Sequence, residues 1–170
     1  MWHTAEKALY YRPDGSRSLE DIQCEVARGV KGPQINLLYM TPCPGQIGFT
    51  AKVRVLSEPG RFNDDPKNPT NIALAGDDFM DFLAACEKKV AQTVGDAAQL
   101  KPLEHVNIYG ERYARGKLHT EMRYWDQNNQ RTEEPTKFTE LDALIMGQLR
   151  PWLMHGQWGL SLRIFQLQTL

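Results

Sequence analysis

Period-two alternation is the feature that most constrains this chain. From Ile47 to Leu56, Phe49, Ala51, Val53 and Val55 alternate with Thr50, Lys52 and Arg54. Successive side chains of a strand point to opposite faces, so this is a strand with one buried and one wet face. Gly116 to Trp125 repeats the pattern. Leu118, Thr120, Met122 and Tyr124 stand against Lys117, His119, Glu121, Arg123 and Trp125. Trp158 to Leu170 repeats it again, with Trp158, Leu160, Leu162 and Ile164 against Ser161 and Arg163. Phe165 and Leu167 break that polar face, so both faces are expected to be covered near the end. Residues 35–40 read as a continuous buried strand, and 104–109 are a further strand candidate. Residues 141–154 are ambiguous. Leu141, Leu144, Ile145 and Leu149 fit a helix, while Gly147 and Pro151 interrupt one.

One helix stands among these strands. Phe79, Phe82, Leu83, Cys86, Val90 and Val94 recur at three- and four-residue spacing, with Glu87, Lys88 and Gln92 on the other side. Asp77 or Asp78 can cap its start and Gly95 its end. The segment before it, Ser57 to Gly76, reads as loop because of Pro59-Gly60, Asn63-Asp64-Asp65-Pro66 and Asn68-Pro69. Pro13-Asp14-Gly15, Gly32-Pro33 and Pro42-Cys43-Pro44-Gly45 mark further turns. The expected fold is therefore mainly β with one central α-helix: an OB-like five-stranded barrel with extended loops, its helix between the third and fourth strands. A length of 170 residues suits a single domain. Residues 1–34 would form an N-terminal arm or extra strands, and 35–170 the barrel, with the helix at about 78–94.

Several function classes are disfavoured at once. Lys and Arg total 20 and Asp and Glu 21, which excludes condensing nucleic acid by bulk charge but not by a local basic surface. Cys24, Cys43 and Cys86 are odd in number and widely spaced, as expected of a reducing compartment rather than a disulfide framework. No apolar run is long enough to span a membrane. Met1 to Glu6 lacks the basic and apolar regions of a secretory signal, so an intracellular or virion-associated protein is expected. Gly29-Val30-Lys31-Gly32 does not have phosphate-loop spacing. His3, His105, His119 and His155 are scattered, and neither Cys-x-x-Cys nor His-x-x-x-His occurs. Asp64-Asp65 and Asp77-Asp78 read as a solvated loop and a helix cap before they read as metal ligands. Neither Ser161 nor Cys43 lies near a base that would make it a nucleophile. No catalytic residue, metal or cofactor is expected.

Binding chemistry has more to rest on. Tyr109, Arg112, Tyr113, Arg115, Lys117, Arg123, Tyr124 and Trp125 interleave rings and cations, and the stretch from Ala143 to Leu170 holds Arg150, Trp152, His155, Trp158, Arg163 and Phe165 without a single acid. Single-strand binding needs both kinds of group: cations track phosphates, and aromatic faces stack bases. The candidate surface is Lys52 and Arg54 from one strand; Tyr109, Arg112, Tyr113, Arg115, Lys117, Arg123 and Trp125 from the next region; and Arg150, Trp152 and Arg163 from the last. Alternation favours Trp125 over Tyr124 as a base platform. It assigns Trp158, which shares a face with Leu160 and Leu162, to the core.

The segment from Leu149 to Gln168 resembles the closing hairpin of OB-fold single-stranded DNA-binding proteins of large DNA viruses and tailed phages. Matching positions are Trp152, Leu153, Gly156, Trp158, Gly159, Leu160, Ser161 and Gln166. Tyr109-Gly110-Glu111-Arg112-Tyr113 followed by Lys117-Leu118-His119-Thr120 looks like that family's segment before a Lys-rich strand. The resemblance covers about the last 65 residues well and the rest in outline. It implies sequence-tolerant binding of single-stranded DNA in replication, recombination or repair, with replication proteins as partners. Phage members commonly end in an acidic tail; Gln166 to Leu170 has no such character, and the 57–76 loop has no family counterpart. RNA as a ligand and a homodimer stay open. A protein-assembly module and a metal-dependent nucleic-acid enzyme using Asp64, Asp65 or Glu121 are the rival readings.

Overall fold

A computed structural model describes residues 10–11, 23–29, 32–38 and 47–170. The turns at Pro13-Asp14-Gly15 and at Pro42-Cys43-Pro44-Gly45, His3, and the end of the strand expected at 35–40 lie outside the described residues. In chain order the strands are β1 (Tyr10–Tyr11), β2 (Gln23–Gly29), β3 (Gly32–Leu38), β4 (Ile47–Val55), β5 (Asn71–Ala75), β6 (Gln99–Leu100), β7 (His105–Val106), β8 (Arg112–Trp125), β9 (Arg131–Thr132), β10 (Asp142–Met154) and β11 (Gln157–Thr169). One helix, α1, runs from Asp77 to Val94.

Five strands close on themselves. β4 pairs antiparallel with β5 and β10, β5 with β8, and β10 with β11. A parallel ladder between β8 and β11, with Lys117 opposite Arg163 and Leu118 opposite Ile164, completes the circuit. This is an OB-like barrel, mainly β with one central helix, and closure leaves few free strand edges. β2 and β3 form a separate two-stranded sheet.

Three sequence expectations change. First, β5 lies inside the stretch read as loop. Ile72, Ala73, Leu74 and Ala75 are all buried, so the strand shows no alternation, and Pro69 and Gly76 crowd it closely. Because β5 is the second barrel strand, α1 falls between the second and third strands rather than the third and fourth. Second, residues 142–154 are strand throughout. Gly147 sits at a bulge, where an added Cβ would stand 2.7 Å from the Arg163 carbonyl oxygen and 2.8 Å from the Phe49 ring. Pro151 lies beyond the last β4 partner, Leu149, where a missing N–H is tolerated. Third, Gly76, not an aspartate, is the N-cap. Its φ of 145° is open to glycine, and Asp77 and Asp78 instead occupy the first turn, where carboxylates complement the helix dipole.

The core fills the barrel and its mouth. Phe49, Ile145, Leu149, Trp158, Leu162 and Ile164 point inward. Phe79 and Phe82 of α1 cover one end, their ring centroids 6.0 and 5.2 Å from that of Phe49. The helix thus plugs the barrel and leaves the outer faces of β8, β10 and β11 to present side chains.

Candidate nucleic-acid interface

Once even-numbered residues of β11 up to Ile164 point inward, Gly159, Ser161 and Arg163 must face out. The ladder then decides what stands beside them. Arg163 is opposite Gln148 on one side and Lys117 on the other; Ser161 is opposite Arg150; Gly159 is opposite Trp152. Lys117 Nζ reaches the Ser161 hydroxyl at 3.5 Å. Next to this row, Lys101, His105, Arg115, Lys117, Trp152 and Ser161 line a groove of about 400 Å³.

Gly159 sets the position of Trp152. A Cβ at 159 would lie 2.8 Å from the indole Cζ2 and 2.9 Å from the Lys101 carbonyl oxygen, so only glycine lets the ring lie across β11. Lys101 is held by parallel pairing of β6 with β11 and by its N–H donating to the Trp158 carbonyl at 2.8 Å. Further along, His119 and Phe165 have ring centroids 4.7 Å apart. Tyr113 stacks on His105 at 5.3 Å, with the Arg115 guanidinium carbon 5.9 Å from its ring centre. From Gly159 to Phe165 the track is roughly 20 Å long at ~3.3 Å per strand residue.

The charges sort into two ends. Lys101, Arg115, Lys117, Arg150 and Arg163 are exposed, and none forms an ion pair among the described residues. Lys117 and Arg163 are even direct ladder neighbours, an arrangement that destabilises a sheet. At the other end, Arg112 meets Asp81 at 3.1 Å, Glu104 at 3.3 Å and Asp77 at 3.5 Å. Arg54 bonds Glu111 and, at 2.8 Å, Glu140. Those hydrogen bonds hold both guanidiniums above their ordinary pKa, chiefly through Glu111 for Arg54 and Asp81 for Arg112. Lys52 opens onto the same end with Asp77, Asp78, Glu111 and Asp142.

The expected site residues therefore divide. Arg115, Lys117, Arg150, Trp152 and Arg163 come together, with Arg123 exposed opposite Gln166 beyond the His119–Phe165 pair. Tyr113 lies at the groove's edge, already stacked. Lys52, Arg54 and Arg112 belong to the acidic end, where carboxylates neutralise the two arginines. Trp125 is not a base platform. It is 4 % exposed, and its indole N–H donates to the Gln166 side chain at 2.8 Å. The alternation does run through to it: Leu118, Met122 and Tyr124 pack against the core, while Trp125 falls with Lys117 and Arg123 on the other side, outside the core cluster. It is covered there because β11 meets it through Gln166, in a ladder where β8 has residues 119–122 against Phe165 alone. Trp158 is core, as its alternation indicated. Lys101, His105 and His119 were not expected at the site, and Phe165 was noted in the acid-free stretch without being assigned to the surface. The one sequence signal was Phe165, an apolar residue at a polar-face position.

One buried carboxyl braces the groove wall. Glu87, 6 % exposed on α1, accepts the Leu103 N–H at 3.0 Å, two residues from Lys101. Burial pushes this carboxyl up from its ordinary value of 4.5, the Leu103 N–H opposes that, and Glu104 adds to it. The folded state thus binds the proton more tightly than the unfolded chain. Stability is greatest below the ordinary carboxylate range and declines as pH rises through the raised value. Glu87→Gln keeps an acceptor for Leu103, so it is expected to raise Tm at pH 7 by about 2 °C and flatten that decline in a pH series of thermal melts.

Comparison with solved structures finds the single-stranded DNA-binding protein from bacteriophage Enc34. The TM-score is 0.44 at 14% identity over 86% of this chain and 89% of that one. A C-terminal truncation of that protein gives 0.47 at 14% identity, over 86% and 94%. Its complex with ssDNA gives 0.45 at 14% identity, over 87% and 95%. No family model and no curated protein matches the chain. Among the described residues no helix is long and apolar enough to cross a membrane. Nor do three His, Cys, Asp or Glu side chains gather among them where they could hold a metal ion.

Proposed function

We propose that this chain binds single-stranded DNA with little sequence preference, protecting or organising the strand in replication, recombination or repair. The observation that carries the reading is the Lys117–Arg163 ladder row. Like charges placed directly opposite destabilise the sheet, and here they lie beside Arg115, Arg150 and Lys101 with no carboxylate paired to any of them among the described residues. A phosphate backbone lying along β11 would relieve that repulsion. Trp152 at one end, and Phe165 with His119 at the other, offer ring surfaces for bases. A base presents its π-face whatever its identity, so such contacts tolerate sequence.

In this reading Arg115, Lys117, Arg150, Arg163 and Lys101 hold phosphates, and Trp152 stacks a base. Arg123 extends the track. Trp152→Ala is expected to weaken oligo(dT) binding roughly tenfold, within the range of one lost stacking contact. It should leave the thermal melt nearly unchanged, because the ring lies on the barrel's outer surface. Titration of labelled oligo(dT) in competition with oligo(U) then reports which sugar is preferred. Undiminished affinity in Trp152→Ala would remove this ring from the site.

A further inference from the structure

The hairpin between β7 and β8 exposes three apolar side chains at one tip. Val106 is 60 %, Ile108 91 % and Tyr109 87 % exposed. The backbone that carries them is tied down. The Asn107 side-chain oxygen accepts the N–H groups of Tyr109 and Glu111, both at 2.9 Å, and the Gly110 N–H donates to the Asn107 carbonyl at 3.0 Å. Ile108 and Tyr109 are thus held out in water on an ordered turn. This lowers the conformational entropy that a partner must overcome.

The surroundings of the tip are acidic. Arg54 holds Glu111 and Glu140, and Arg112 is shared by Asp77, Asp81 and Glu104, so five carboxylates share two arginines. Asp78 and Asp142 line the adjoining cleft with Lys52, and neither forms an ion pair among the described residues. Such an end repels a phosphate backbone, and Tyr109, expected on the strand-binding surface, belongs to it. An apolar tip in a negative field is the complement of a surface that is apolar and positive.

The same chain carries such a surface. The groove beside β11 is lined by the cations Lys101, Arg115 and Lys117 and by the apolar Pro102, Leu103 and Trp152. A molecule's own tip does not point into it. His105 faces the groove, so Val106, next along β7, points to the opposite side. The occupant must therefore come from a second copy. Because tip and groove adjoin on one molecule, two copies related by a twofold axis can each fill the other's groove.

We propose that this chain self-associates by that exchange, with Ile108 and Tyr109 of one copy seated in the groove of the other and the carboxylates around them facing Lys101, Arg115 and Lys117. The contact is small. Interfaces below about 1,200 Å² are weak and transient, so the dimer forms at high protein concentration. The groove is also the place of the single strand in the reading above, so DNA and the second copy compete for it. That competition rests on the single-strand reading; the dimer does not.

Sedimentation velocity tests both. Wild-type protein and the double variant Ile108→Ser/Tyr109→Ser are compared over a concentration series at low and high salt, alone and with oligo(dT) of about six nucleotides, short enough to hold one copy. The wild type is expected to dimerise with rising concentration, less so at high salt. The double variant should self-associate about tenfold more weakly, with a thermal melt and an oligo(dT) affinity at low protein concentration that match the wild type. Oligo(dT) should convert wild-type dimers to DNA-bound monomers. A wild type that stays monomeric throughout, or a double variant that dimerises equally well, would overturn the exchange. So would a dimer that persists with oligo(dT) bound, since its interface would then lie outside the groove. A tip-dependent dimer that binds no oligo(dT) would uphold the exchange and overturn the single-strand reading.

Discussion

Replacing Arg163 by Glu is expected to weaken oligo(dT) binding about a hundredfold while leaving the melting temperature equal or higher. The two effects diverge because of the ladder. Arg163 lies opposite Lys117, and both are exposed. A glutamate there would pair with Lys117 and relieve the like-charge repulsion, so the free protein gains. The same exchange removes one phosphate-binding cation and occupies the other. Two fewer neutralised phosphates should flatten the salt dependence of log K by roughly 1.4, at about 0.7 per contact for a single strand. Titration at several salt concentrations, with a thermal melt of each protein, reads both quantities. A fall in Tm that accompanied the lost affinity would mean that Arg163 supports the fold instead. An unchanged salt slope would remove it from the phosphate track.

The second large effect concerns which tryptophan does what. Trp158→Ala should destabilise the protein by about 3–5 kcal/mol, the usual range for truncating a large buried ring. In a chain of this size that lowers Tm by roughly 6–20 °C. Trp158 is 2 % exposed and sits inside the barrel. Trp125→Phe should lower stability by ~1–3 kcal/mol, because it leaves the buried Gln166 side-chain oxygen without its indole donor. Neither change should alter DNA affinity at a temperature where the protein remains folded. Chemical denaturation combined with oligonucleotide titration separates the two quantities. A Trp125→Phe protein of normal stability and impaired binding would return that ring to the binding surface.

How much of this was legible in the sequence depended on how local the deciding interaction is. β4, the first half of β8 and β11 each carry their own alternation, so their inward and outward faces could be read directly, and with them Lys117, Arg163 and the core position of Trp158. The helix announced itself through Phe79, Phe82, Leu83, Cys86 and Val90. β5 did not, because a short strand buried at every position from Ile72 to Ala75 has no periodicity. β10 was obscured by Gly147 and Pro151, whose reasons lie elsewhere: Phe49 and the Arg163 carbonyl crowd the first, and the end of the β4 pairing permits the second. Trp125 was misplaced for a related reason. Alternation gives its face but not its cover, which comes from Gln166 of β11, 41 residues away.

The site shows the same division. Ring and cation interleaving pointed to the stretches that supply the basic track, yet it could not separate free cations from paired ones. Arg54 finds its carboxylates 57 and 86 residues away, and Arg112 finds Asp81 31 residues back. Lys101 reaches the groove only because β6 pairs with the start of β11. With the paired arginines set aside, the near-neutral total charge resolves into an end where five carboxylates share two arginines and a basic track with no ion pair among the described residues.

Fluorescence anisotropy of labelled oligo(dT) and of a duplex of equal length, each titrated at low and high salt, tests the central claim most directly. Affinity for the single strand is expected to be at least tenfold above that for the duplex, because stacking on Trp152 and Phe165 needs unpaired bases. Single-strand affinity is expected to fall steeply as salt rises. Equal affinity for the two ligands, or binding of neither, would contradict the claim.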